Sequence, residues 1–166
     1  MNILIFIFCI LYFILAIRRL DWAVMVVIVF LPSYLIRFGI LGIPFTMLEV
    51  MILMAFFVWL SRNYKKIYNN IKLRYKNNWK SKIENRKLIR YPFDVEIILL
   101  LIISFAAAGI VGFNNSAMGI WKAYFFEPAL FFILILNIIN NKKGINKIIF
   151  SLSISAFLVS EFAIYQ

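Results

Sequence analysis

The chain has 166 residues, 64% hydrophobic, 18% aromatic and only 15% charged, whereas a soluble domain carries about 25% charged residues. A soluble fold of this length has too little interior for so much apolar surface, so the class is integral membrane. With no histidine and a single cysteine, Cys9, the chain excludes a Cys/His zinc site, a histidine-based triad and an internal disulfide, and no metal or cofactor is expected.

The first apolar run, residues 3–17, has no basic residue before it. Arg18 and Arg19 follow it without a small-x-small cleavage site. That order fits a retained membrane helix, not a cleaved signal peptide. The later runs are continuously apolar, which favours helices over barrel strands. A spanning helix needs ~20 apolar residues to cross ~30 Å of hydrocarbon. Six segments approach that length: 2–17, 20–36, 46–62, 95–112, 121–139 and 147–165. The expected fold class is all-α, a polytopic transmembrane helical bundle of six spans. Spans one to three occupy 1–60, a basic loop occupies 61–94, and spans four to six occupy 95–166.

The basic residues sort by loop. Sixteen of the eighteen lie in alternate loops: Arg18 and Arg19, the eleven within 62–90, and Lys142, Lys143 and Lys147. The other side holds Arg37 and Lys122. The positive-inside rule puts the sixteen in the cytoplasm and the N-terminus outside. This distribution also argues against nucleic acid as the partner of a net charge of +11.

Within the basic loop, Tyr64, Tyr68, Ile71, Tyr75 and Trp79 recur every three or four residues, as on one helix face. That face is expected at the inner interface, against anionic inner-leaflet lipids, with each nearby lysine or arginine contributing ~1 kcal/mol. Asn69-Asn70 and Asn77-Asn78 favour two short helical pieces over one. The plain role is a topology anchor. No phosphate-cradling glycine loop supports nucleotide binding.

Four ionisable residues fall on the outer side, Arg37, Glu49, Lys122 and Glu127, and such groups at membrane depth are candidate functional residues. Thr46 and Glu49 have the spacing of a capping box, with Phe45 and Val50 at staple positions. Glu49 therefore has a structural role available beside any intramembrane polar contact. Arg37 can snorkel to the headgroups, pair with Glu49 or hold an anion. Residues 119–128 read GIWKAYFFEP. A helix from Pro128 to residue 139 would be ~18 Å long, too short to span. The helix must therefore start near Trp121 and carry Pro128 inside it, with a kink where the Tyr124 carbonyl loses its donor. On an α-helix Lys122 and Glu127 lie ~140° apart, so Glu127 is expected to turn towards another helix or a wet cavity. Lys122 and Trp121 sit at interface depth. Ser104, Ala108 and Gly112 are spaced for close helix approach, and Ser151 and Ser155 offer the same in the last span.

Residues 31–60, LPSYLIRFGILGIPFTMLEVMILMAFFVWL, and 116–137, SAMGIWKAYFFEPALFFILILN, resemble two blocks of the O-antigen ligase-like and polymerase-like family of bacterial membrane proteins, and the closing SAFLVSEFAIYQ is similar to the approach to its catalytic region. The resemblance covers roughly 20–60 and 90–166. It implies a multi-pass protein of the bacterial cytoplasmic (inner) membrane. It implies a metal-independent glycosyltransferase that moves a glycan from a polyprenyl pyrophosphate, such as undecaprenyl pyrophosphate, to a sugar acceptor in lipopolysaccharide or other cell-surface polysaccharide. Arg37 and Lys122 would then be candidate lipid-phosphate ligands, with Glu49, Glu127 and Pro128 as intramembrane polar contacts. The family's arginine-rich set with a histidine, on a large outer loop, has no counterpart here. The expectation is therefore an N-terminal half, inactive by itself, truncated before the catalytic extracytoplasmic loop. The competing readings are a secondary transporter or lipid flippase, and a non-catalytic six-span assembly subunit.

Overall fold

The computed structural model describes residues 3–40, 43–77, 94–139 and 141–165. In chain order these form α1 (Ile3–Arg18), α2 (Leu20–Val29), a 3-10 turn (Leu31–Leu35), β1 (Arg37–Ile40), β2 (Ile43–Thr46) and α3 (Met47–Asn77). Then come α4 (Asp94–Ile110), α5 (Asn115–Trp121), a π-helical turn (Lys122–Phe126), α6 (Glu127–Ile138) and α7 (Lys142–Tyr165).

The expected helical class forms, and each of the six apolar segments supplies helix. Among the described residues, three helical stretches are long and apolar enough to cross a bilayer: Met47–Lys65, Asn115–Ile138 and Lys142–Tyr165. The other apolar helices, Ile3–Arg18, Leu20–Val29 and Val95–Ile110, reach about 24 Å at most at 1.5 Å per residue. The expected span 20–36 is cut at Val29. The Pro32 ring would clash with the Ile28 carbonyl and brings no N–H, so the chain leaves the α-helix at Phe30 and tightens into the 3-10 turn.

The core gathers around α2, a helix apolar on all sides and therefore one that must be buried. Six of its ten residues are buried. The main cluster runs from Tyr12 and Ala16 through Ala23 and Val27 to Met51, Ala55 and Leu134. Ala16, Ala23 and Ala55 are fully buried, and their small side chains let the backbones close up. The Tyr12 hydroxyl donates to the Ala23 carbonyl at 3.4 Å, which satisfies the one polar atom this tyrosine brings inside. In contrast, α4 exposes Ile98, Ile102 and Ile103, and α7 exposes Phe150, Phe157 and Phe162. Apolar faces of that size on a folded chain are surfaces for lipid, as in a membrane protein.

Two expectations are corrected by the backbone. First, α3 runs unbroken through Asn69 and Asn70 to Asn77. Asparagine costs a helix under ~1 kcal/mol per residue, less than ending and re-nucleating it. Trp79 and the rest of the basic loop to residue 93 lie outside the described residues. Second, Gly112 is not a packing residue. Its φ is 91°, its N–H donates to the Gly109 carbonyl at 3.0 Å, and the Phe113 N–H donates to the Ala108 carbonyl at 3.2 Å. That pattern is a Schellman cap on α4, where glycine supplies the left-handed backbone. Among the described residues, a Cβ at Gly112 would meet nothing within 4 Å.

Candidate functional site

The loop expected over 37–45 is a β-hairpin. β1 and β2 pair antiparallel, with Arg37 opposite Thr46 and Phe38 opposite Phe45. The Met47 N–H donates to the Ile36 carbonyl at 3.0 Å and closes the hairpin base. Pro44 is tolerated because a two-stranded hairpin has only edge strands. The sequence signal was available: two short apolar runs separated by a pair ending in glycine.

The hairpin feeds directly into α3 through the expected capping box. The Glu49 N–H donates to Thr46 Oγ1 at 3.2 Å, and the Thr46 N–H donates to Glu49 Oε2 at 3.3 Å. Glu49 is 2% exposed. Its other oxygen, Oε1, lies 2.6 Å from Lys122 Nζ. The structural and polar roles foreseen for Glu49 therefore coexist, one on each oxygen. Lys122, not Arg37, is its ionic partner. Lys122 Nζ also sits 4.3 Å from the centre of the Phe45 ring, a cation–π contact. The ammonium is thus held between a carboxylate of α3 and an aromatic face of the hairpin.

Pro128 does lie inside a helical run, as its length required, and the kink expected at Tyr124 takes the form of the π turn. The helix begins earlier than Trp121, at Asn115, where the Asn114 side chain accepts the Ala117 N–H at 2.7 Å. Ahead of Pro128 the ladder widens, and the Glu127 N–H donates to the Lys122 carbonyl. This five-residue spacing absorbs the donor that proline lacks. It also stacks residues five apart, which corrects the ~140° separation of Lys122 and Glu127 that an α-helix would impose. Both now line one cleft. Pro128 itself is exposed and acts through the backbone.

Trp121 is bound to α4, in addition to sitting beside Lys122. Its Nε1 donates to Ser104 Oγ at 3.0 Å. Its ring meets Phe105 edge-on at 5.1 Å and stacks on Phe126 at 5.5 Å. Ser104 therefore serves as a hydrogen-bond acceptor for the neighbouring helix.

The cleft has a volume of about 1030 Å³ and is walled by the 3-10 turn, the hairpin, the start of α3, the π turn and α7. All four ionisable residues singled out from the sequence, Arg37, Glu49, Lys122 and Glu127, line it. Arg37 is exposed and has no ion pair among the described residues. Glu127 is 6% exposed, and its Oε1 has no hydrogen-bond partner among the described residues. Its carboxyl lies within electrostatic reach of both Glu49 and Lys122. Among the described residues two basic and two acidic side chains line the wall, and Arg37 is the basic one without an ion pair. Sequence reasoning missed Tyr34 and Tyr124, exposed aromatics on the cleft wall. Tyr34 follows Pro32 by two residues, and an aromatic placed just after a helix-breaking proline was the signal.

Far along α3 a different set of charges gathers. Arg62, about 20 Å from the capping box at 1.5 Å per residue, donates to the Ile17 carbonyl at the end of α1. Lys147 lies 3.6 Å from Asp21 and over the Trp22 ring at 5.2 Å. No family model, curated protein or solved structure matches the chain.

Proposed function

We propose that the cleft holds the head of a polyprenyl-diphosphate-linked glycan, as part of a membrane glycan ligase or polymerase in a bacterial cytoplasmic membrane. The observation that carries this is Arg37, a guanidinium without an ion pair among the described residues, on the wall of a cleft of about 1030 Å³ between apolar elements. A lipid diphosphate needs a cation at headgroup depth and a greasy channel for its tail. Arginine suits the first because its planar fork can take two phosphate oxygens at once. Leu31, Leu35, Ile120 and Val159 supply the second. The role of Lys122 changes from the one foreseen. With Glu49 as its counter-charge, it fixes the hairpin to the π turn and so positions Arg37. The resemblance of 31–60 and 116–137 to the O-antigen ligase-like family supports the same assignment. The chain's own described residues bind and orient the lipid-linked donor, and we assign none of them the transfer step.

The six-span arrangement with the N-terminus outside belongs to this proposal. It is supported by the grouping of side chains. Arg62 and Lys147 gather with the α1 C-terminus and α2 N-terminus, whereas Arg37 and Lys122 gather at the other end of α3. α1 and α4 reach about 24 Å, and α2 about 15 Å before its 3-10 turn adds about 10 Å; all are short of ~30 Å of hydrocarbon, a mismatch that local thinning and snorkelling accommodate for fractions of a kcal/mol per Å. Residues 61–94 would then meet anionic inner-leaflet lipid.

A lipid flippase is the second reading, favoured by two interrupted helices on one cleft, α2 at Pro32 and α5–α6 at the π turn. In nanodiscs, Arg37→Ala should weaken binding of a polyprenyl diphosphate roughly 10- to 100-fold, the loss of a charge-assisted contact. Unchanged binding removes the assignment. Transfer of a fluorescent polyprenyl diphosphate across a liposome bilayer by the wild type would select the flippase.

A further inference from the structure

We propose that Glu127 is the sugar-binding residue of this cleft, its Oε1 accepting a hydrogen bond from a hydroxyl of the glycosyl unit next to the diphosphate. The inference deepens the assignment above and rests on it for the identity of the lipid.

Glu127 lines an open cleft but is only 6% exposed, and its Oε1, closed off from solvent, has no hydrogen-bond partner among the described residues. Buried polar atoms are almost always hydrogen-bonded, so an orphan in the wall of a cavity calls for a donor from a ligand or water, which a small rotation of the carboxyl lets it meet. The donor must be of a particular kind. A phosphate suits Arg37 better, because beside Glu127 and Glu49 it would add a third acidic group. A second cation is disfavoured, because Lys122 already supplies the positive charge near both carboxyls. A neutral hydroxyl satisfies Oε1 without altering the charge balance.

The surrounding wall has the same chemistry. Tyr34 and Tyr124 bring exposed aromatic rings to the wall, and Thr46, Ser116 and Ser155 are the hydroxyl-bearing residues that line it. Ring faces take the C–H face of a pyranose while hydroxyls and carboxyls take its rim, the usual division of a pocket into apolar walls and a few placed polar groups. The π turn is what makes the arrangement possible. It brings Glu127 round to the cleft that holds Arg37, so that one lipid head can meet the guanidinium with its phosphate and the carboxyl with its sugar. Glu49 is not an equivalent candidate, since its two oxygens are committed to Thr46 and Lys122.

The test uses three probes against the protein in nanodiscs, read by native mass spectrometry: a polyprenyl diphosphate, the same lipid bearing one hexose, and an alkyl glucoside with no phosphate. Glu127→Leu should bind the hexose-bearing lipid and the glucoside roughly 10- to 100-fold more weakly, with the sugar-free lipid unchanged. Glu127→Gln keeps the shape and a neutral acceptor, so its loss on the same two probes should be smaller, roughly three- to tenfold. It also serves if Glu127→Leu does not fold. Equal loss of all three probes, or no loss of any, overturns the inference. So does a wild type that does not distinguish the two lipids. The two proposals separate cleanly. Arg37→Ala should weaken both lipids and spare the glucoside. If it spares the lipids while Glu127→Leu still loses the glucoside, the phosphate assignment fails and the sugar site stands.

Discussion

The Glu49–Lys122 pair makes a prediction with an unusual sign. Lys122→Met removes the ammonium and leaves Glu49, 2% exposed, without the charge it faced at 2.6 Å. Breaking a buried pair from one side costs about 3–5 kcal/mol. Here Oε2 keeps its capping bond and the Lys122 side chain is 26% exposed, which places the cost near the low end, about 3 kcal/mol. Glu49→Gln is milder. Glutamine also completes a capping box, and the ammonium left behind keeps the Phe45 ring and reaches solvent. The loss is that of one close ion pair with a partly exposed ammonium, about 1.5 kcal/mol, between the values for exposed and buried pairs. The double variant replaces the pair with neutral groups, a change that is often nearly neutral, so it should lie close to Glu49→Gln. Adding the second substitution to Lys122→Met should therefore restore stability. At about 2–4 °C per kcal/mol for a chain of this size, Lys122→Met lowers Tm by roughly 6–12 °C and the double variant recovers about half of that. Thermal unfolding in nanodiscs, followed by tryptophan fluorescence, measures all four proteins. Two equal single losses that simply add in the double variant would show that the pair is not coupled and that hairpin and π turn are held by other contacts.

Gly112 and Gly119 should respond oppositely to alanine although neither Cβ would meet an atom of the described residues within 4 Å. Gly112→Ala forces a side chain onto a φ of 91° and should cost about 1–2 kcal/mol, whereas Gly119→Ala inside α5 should gain about 0.5–1 kcal/mol; the two Tm shifts check both. Trp121→Phe keeps the ring contacts but loses the bond to Ser104, so it should cost about 1 kcal/mol, and in a Ser104→Ala background the further cost should shrink, as a double-mutant cycle measures. The proposed orientation predicts that, in a Cys9→Ser background, an impermeant maleimide on intact spheroplasts labels Asn115→Cys and not Asn141→Cys; the reverse pattern overturns it.

Most of what is legible in this sequence is set by local chemistry. The Thr46–Glu49 capping box, the need for Pro128 to sit inside a helix, and the choice of Arg37, Glu49, Lys122 and Glu127 as candidates follow from spacing, length and charge. What is not legible depends on how the backbone absorbs its prolines. Both Pro32 and Pro128 interrupt a helix by the same chemistry, a missing donor and a ring against the preceding turn. The outcomes differ. At Pro32 the chain tightens to a 3-10 turn and leaves the helix, whereas before Pro128 it widens to a π turn and continues. The difference lies in partners remote in sequence. Ahead of Pro128, Trp121 is tied to Ser104 and Lys122 to Glu49, and beyond it Leu134 is locked in the core. With both sides fixed, continuing the helix through one extra residue costs less than abandoning it. Beyond Pro32 the anchors hold a non-helical chain instead, with the Ile36 carbonyl tied to the Met47 N–H at the base of the hairpin. The five-residue turn is therefore a consequence of tertiary contacts, and so is the convergence of Lys122 and Glu127 that helical periodicity alone would have ruled out.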